Sequence, residues 1–214
     1  MDDAPPVFAN RVLLKQCLDS GRLLIGQVLL GTDYSLRHAD DADRHDLTPY
    51  SVSSGARLIA RYDDEGNFRP LKTAPNLRRG WLIRAASLEE MELALEHLYP
   101  SALGLWNAFL TKNLHATSMR ETLDRQTGMY RITQLLTPLQ AGEIVARCCR
   151  SDGGCLRSIL WDLAPAEPIT SLPESKLSLE SLPAGRIPLI CRELCNLVVA
   201  AARPIAKGNL PKKE

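Results

Sequence analysis

At 214 residues the chain has room for one large domain or two small ones, and it is long enough to bury a core without disulfide staples. Its 26 basic and 25 acidic residues leave a formal charge of +1, which argues against a general electrostatic grip on nucleic acid or on an anionic membrane. The start, MDDAPPVFAN, is acidic and Pro-broken where a secretory signal needs a basic stretch and then an apolar run. Apolar runs such as Leu23 to Leu30 and Leu197 to Ala202 fall well short of the roughly 20 residues that span a bilayer. The expectation is a cytoplasmic protein with no nucleic-acid partner and no membrane partner.

In chain order, Leu23 to Leu30 reads as one buried strand closed by Gly31-Thr32-Asp33, with a shorter extended run from Tyr34 to His38 completing a hairpin. The stretch LRHADDADRHD, Leu36 to Asp46, is dense in charge and histidine and reads as a solvated loop. Ser53 is placed to cap a short helix running to about Tyr62, and Asp63 to Asn67 ends it in a turn. Trp81-Leu82-Ile83 reads as a strand. Ser87 and Glu90 then form a capping-box pattern for a helix to Leu98, with Leu88, Met91, Leu95 and Leu98 on one face. Pro100 breaks that helix, and another follows to about Lys112.

The second half reads as more helical. Tyr130 to Thr133 alternates like a strand after a Thr127-Gly128 turn. Thr137, Pro138 and Gln140 agree on a helix start, with Thr at the N-cap, Pro at the first helical position and Gln at the third. Ser151-Asp152-Gly153-Gly154 breaks that helix, and Cys155 to Trp161 forms another short element. Ala164 to Pro183, rich in proline and serine, is a loop. Pro188 is read as opening a last helix that carries Cys191 and Cys195, and the tail from Lys207 is expected to fray.

Cysteine usage is the most informative feature. Five of the six cysteines lie between Cys148 and Cys195, spaced C-C-x5-C and, thirty-five residues later, C-x3-C. In a reducing cytosol such a cluster points to a metal or catalytic site rather than to disulfides. Cys17, among Leu13, Leu14 and Leu18, reads as a small buried hydrophobe. Cys191 and Cys195, four apart on an expected helix, would face the same side. The other pair brackets a Gly-Gly loop that lets backbone wrap a cofactor. Four thiolates serve zinc and iron-sulfur alike, and only the C-x3-C pair has the tight spacing of a zinc knuckle. Arg147, Arg150, Arg157 and Arg192 offset the negative charge of either complex. The residues alone therefore leave a [4Fe-4S] cluster, zinc and unliganded buried thiols as alternatives, with the cluster preferred.

Three stretches carry a family resemblance: Arg125 to Thr133 (RQTGMYRIT), Gly154 to Trp161 (GCLRSILW) and Cys191 to Leu197 (CRELCNL). They resemble the C-terminal iron-sulfur domain of CbiX-type sirohydrochlorin cobaltochelatase-like proteins. Leu36-Arg37-His38 through Tyr99-Pro100 resembles the stabilising domain that precedes it there, so the likeness spans roughly residues 20 to 205. The resemblance implies a [4Fe-4S] cluster on Cys155, Cys191 and Cys195, with Cys149 or Cys148 as the remaining ligand. Helical phase does not choose between those two, because Cys148 follows Ile144 by four and Cys149 follows Val145 by four. Cys149 is preferred because it borders the glycine loop and can turn away from the helix while Cys148 packs.

The expected architecture is α+β, a strand-containing N-terminal support packed on a mainly helical iron-sulfur module. Its parts are an N-terminal segment at 1–19, a stabilising domain at 20–113, a cluster-binding domain at 114–206 and a tail at 207–214. In the family these domains follow a chelatase domain, for which this chain has no room. The implied role is therefore an accessory or redox partner in tetrapyrrole (sirohydrochlorin/cobalamin) metal chemistry, binding a separate sirohydrochlorin chelatase or another enzyme of that pathway. The alternatives are a free-standing electron carrier or redox sensor and a zinc-stabilised interaction module. His38 and His45 flank aspartates without a regular element to fix them, and His97 and His115 read as helix-end or surface residues. Trp81, Trp106 and Trp161 read as core or interface anchors, and Trp161 is a candidate shield for the cluster. No nucleophile, base and orienter fall together, so the chain does not read as an enzyme in its own right.

Overall fold

In the computed structural model, the described residues are 6–61, 77–114, 136–149, 155–160, 184–192 and 195–208. The chain divides into two compact units, Met1–Leu114 with Ser178–Leu189, and His115–Leu177 with Ile190–Glu214. Among the described residues there are six helices, a mixed six-stranded sheet and a two-stranded sheet, an α+β fold as expected. None of these helices is long and apolar enough to cross a membrane.

The first unit opens with α1 (Pro6–Asp19), which packs against two later helices, α3 (Leu88–Leu98) and α4 (Ala102–Leu110). Leu14 and Leu18, four apart, are its buried contribution, and Arg11 ties it to Glu92 of α3 at 3.0 Å. The run Leu23 to Leu30 is two strands rather than one. β1 (Leu23–Ile25) and β2 (Val28–Leu30) pair antiparallel, with Leu23 opposite Leu30 and Ile25 opposite Val28. The reason is Gly26. Its φ of +58° suits the first position of a two-residue hairpin loop, and a Cβ there would lie 2.7 Å from Leu189 and 2.8 Å from the Tyr99 ring. Side-chain alternation then buries Leu23, Ile25, Val28 and Leu30 together.

β3 (Ser35–His38) extends the hairpin antiparallel to β2, and β5 (Leu82–Arg84) continues it on the far side of β3. Two short parallel strands complete the sheet. β4 (Pro49–Tyr50) adds to β5, and β7 (Arg186–Ile187) adds to β1. The helix α2 (Val52–Arg61) starts one residue before Ser53, and it is the carbonyl of Ser51 that accepts the first helical amide, from Gly55. It packs against α3. On α3, Ser87 caps the amide of Glu90 at 3.3 Å as expected, but the Glu90 carboxylate reaches back to Ala86, 2.8 Å away. Met91, Ala94, Leu95 and Leu98 form its buried face, while Leu88 is only half-buried.

The stretch after β3 is the expected solvated loop only at Asp43 to Asp46, which are exposed. Ala39–Asp41 forms a 3-10 turn, and both His38 and Asp41 are buried. Asp41 accepts the amide of Gly80 at 2.6 Å and a guanidinium N–H of Arg44 at 3.4 Å, while His38 Nδ1 accepts the amide of Asp40 at 3.1 Å. The backbone partner of Asp41, Gly80, is thus distant in sequence, which composition cannot reveal. His45 remains exposed.

In the second unit, α5 (Pro138–Cys148) begins with a complete capping box: Thr137 Oγ1 accepts the Gln140 amide at 3.2 Å, and Gln140 Oε1 accepts the Thr137 amide at 3.0 Å. α6 (Asn196–Gly208) packs against it. Residues spaced three and four apart meet between them, Ala141, Ile144 and Val145 from α5 with Val198, Val199 and Ala202 from α6. β6 (Arg157–Ile159) and β8 (Leu189–Cys191) make the small sheet. The expected elements around Asp63 to Asn67, Tyr130 to Thr133, Ser151 to Gly154 and Ala164 to Pro183 lie outside the described residues, as do His115, Arg150 and Trp161.

Candidate metal centre

Of three stretches of chain that carry these cysteines, two reach the second unit's core, and the other brings Cys155 near enough to act on Cys149 electrostatically. The first is the end of α5. Cys148 is the last helical residue, and Cys149 is its C-cap, with φ −112° and ψ 25° and its amide still bonded to the Val145 carbonyl at 2.8 Å. This last helical hydrogen bond holds Cys149 over the buried face, where it is 6% exposed and part of the core with Val145 and Val198. Cys148 is half-buried and packs against the same core. Cys149 is therefore the more buried residue of the pair, and Cys148 packs as expected while staying half-buried.

The second stretch is Cys155, half-buried and two residues before β6. The third carries Cys191 and Cys195, and here the structure corrects the sequence reading. They are not four apart on one helix. Cys191 ends the strand β8, and Cys195 immediately precedes α6, its carbonyl accepting the Val199 amide at 3.1 Å. Pro188 thus leads into a strand rather than a helix, because Leu189-Ile190-Cys191 finds a partner in β6: the amide of Leu160 donates to the Cys191 carbonyl at 3.0 Å. Cys195 alone stands at the amide-rich start of a helix. Both cysteines are half-buried against the core that holds Cys149.

None of the six cysteines is in a disulfide. Burial pushes the Cys149 thiol's pKa far up, and the charges of Cys191, Cys155, Cys195 and Cys148, in that order, push it further. Cys149 therefore shares one electrostatic neighbourhood with those four thiols, and negative charge on its sulfur beside an apolar core calls for a compensating cation. Among the described residues, no three His, Cys, Asp or Glu side chains already form a metal-binding group. Cys17, half-buried on α1, belongs to the first unit, where burial raises its thiol pKa.

The donors fit a soft metal centre, since thiolates suit iron-sulfur clusters and zinc. A second observation concerns Arg157. Its Nη1 donates to the Ile190 carbonyl at 2.9 Å, joining the Cys155 and Cys191 stretches, and its Nε is buried without a hydrogen-bond partner among the described residues. An orphaned cationic N–H fits surroundings of net negative charge. Sequence reasoning had treated Arg157 only as one of four charge-balancing arginines. The Ile190 tie spans 33 residues and leaves no local signal. Arg147 and Arg192 are exposed.

Fold and site define a class: a two-unit α+β chain whose second unit sets Cys148, Cys149, Cys191 and Cys195 on one small core, with Cys155 in the electrostatic neighbourhood of Cys149. Residues 111–204 match the 4Fe-4S iron-sulfur cluster binding domain, and residues 11–110 match the DR2241 stabilising domain. No curated protein matches the chain. Among solved structures, DR2241 from Deinococcus radiodurans is similar with a TM-score of 0.70 and 30% identity over 95% of this chain. That protein is described as multi-domain, with structural similarity to chelatases and two additional novel domains, and this chain covers 41% of its length. Together the two family matches and the structural match support a DR2241-type C-terminal region, a stabilising domain followed by a 4Fe-4S cluster-binding domain.

Proposed function

We propose that the chain holds a [4Fe-4S] cluster on Cys149, Cys155, Cys191 and Cys195, and that it serves as an accessory or redox partner in tetrapyrrole metal chemistry. The observation that carries the reading is the convergence of separate cysteine stretches on one apolar core, inside the region matching a cluster-binding domain. When bound, such a cluster supplies a one-electron couple. The chain's own residues do the rest. α5 and α6 keep water from the Cys149 side of the centre, β8 and the start of α6 present Cys191 and Cys195, and Arg157 joins the stretch that follows Cys155 to the strand that ends at Cys191. Cys148 is the alternative to Cys149.

The tetrapyrrole assignment is supported by the chelatase likeness stated for the Deinococcus protein and by the family resemblance of the cysteine motifs. Within this reading the partner is a chelatase acting on sirohydrochlorin, or another enzyme of that chemistry, docking on the first unit. Exposed apolar side chains there, Leu58 on α2 and Leu93 on α3, are of the kind that interaction surfaces use. An anaerobic pull-down with mass spectrometry, together with addition of the protein to a purified chelatase, tests the role. Enrichment of a tetrapyrrole enzyme and a change in chelatase rate or metal preference are expected. Neither effect, with the cluster present, would replace this role by that of a free-standing electron carrier or redox sensor.

A further inference from the structure

We infer that Arg157 directs its Nε–H at a sulfur of the cluster site and thereby raises the reduction potential of the centre, an inference that rests on the cluster reading above. Arg157 opens β6, two residues beyond Cys155, and its Nη1 grips the carbonyl of Ile190, the residue before Cys191. A guanidinium is a rigid planar fork, so fixing one nitrogen on a backbone carbonyl fixes the direction of the others. One of those, Nε, is buried and has no hydrogen-bond partner among the described residues. A buried cationic donor left unpaired is costly, and it calls for an acceptor of negative character.

Neither β6 nor β8 contains a carboxylate to fill that place. The anionic groups that a filled site would bring are sulfurs, on the stretches leading from Cys155 and to Cys191. Of the second unit's described arginines, Arg147, Arg192 and Arg203 are exposed, and Arg157 alone is half-buried. It is thus the arginine whose charge water screens least. A nearby positive charge and an N–H bond to sulfur both favour the reduced, more negative state of a cluster.

The test uses the full chain and its Arg157→Gln and Arg157→Lys variants, reconstituted anaerobically with iron and sulfide, with iron content and reduction potential measured for each. The glutamine variant is expected to keep its iron and to show a roughly tenfold lower reduced-to-oxidised ratio at a fixed applied potential, about 59 mV for a one-electron couple. The lysine variant, which keeps the charge but not the fork, should fall between. A glutamine variant with full iron and the wild-type potential overturns the inference. If the glutamine variant loses its iron, the lysine variant decides. A potential below wild type supports the inference, whereas an unchanged potential, or loss of iron there too, reduces Arg157 to a pin between strands. Failure of the cluster reading shows separately, as a wild-type chain that takes up no iron.

Discussion

In the first unit large apolar side chains close the interior: Trp81, Leu36, Ile83 and Met91 are fully buried, and the Trp81 indole N–H is satisfied by the Arg78 carbonyl at 2.6 Å. In the second unit the core between α5 and α6 consists mostly of alanine and valine, and one of its buried members is the thiol of Cys149 with further thiols around it. Small side chains bury little apolar area. Thiols crowded together become an asset only when they share a metal, whose binding free energy then becomes folding free energy. One half of this chain is closed by large apolar side chains, while the other half, on the cluster reading proposed above, would depend on what its cysteines hold.

The largest expected effect follows directly. Cys149→Ser should remove most of the iron and strip hydrogen-exchange protection from α5 and α6 while the sheet of the first unit keeps its own. Cys148→Ser should retain most of the iron, and Cys17→Ser should leave it unchanged. The reverse pattern for Cys148 and Cys149 would shift the ligand by one residue, and equal loss of protection in both units would break the comparison. Next in size, Trp81→Ala should cost the first unit about 3–5 kcal/mol, read as a lowered denaturant midpoint for its sheet. A loss below about 1 kcal/mol would show that this core is not the packing unit described.

These contrasts also explain what was legible in the sequence. The α5 start was readable because Thr137, Pro138 and Gln140 act within one helical turn. The break in Leu23 to Leu30 was not, because Gly26-Gln27 sits inside an apolar run and its need for glycine comes from Tyr99 and Leu189. Pro188 suits a helix start, and only the pairing of Cys191 with Leu160 makes the residues after it a strand. Asp41 looked solvated because its amide partner, Gly80, is 39 residues away. At the site, counting and spacing the cysteines named the candidates, but neither helical phase nor spacing could reveal that Cys149 is the buried one of its pair.

Smaller effects sharpen the same division. Thr137→Ala removes the side-chain cap on Gln140 and should lower the stability of the second unit by about 1 kcal/mol, visible as faster exchange in the first turn of α5. The smallest effect concerns pH. Burial, and then the charge of Arg57, hold the pKa of His97 below its ordinary 6.5, and its Nε2 accepts from Arg57 Nε at 3.3 Å. The unfolded chain therefore takes up this proton more readily than the folded one. Stability of the first unit should fall as pH drops through about 6.5 and level off below the lower folded pKa. Denaturant midpoints measured across that range in wild type and His97→Gln check it, and an equal slope in both would remove His97 as the cause.

The central claim is that the cysteines of the second unit hold an iron-sulfur cluster. Metal and sulfide analysis of anaerobically isolated protein, with its visible absorption spectrum, tests this most directly. The expectation is a brown protein with on the order of four iron and four sulfide per chain. A colourless protein with about one zinc per chain would contradict it and leave a zinc-stabilised interaction module in its place.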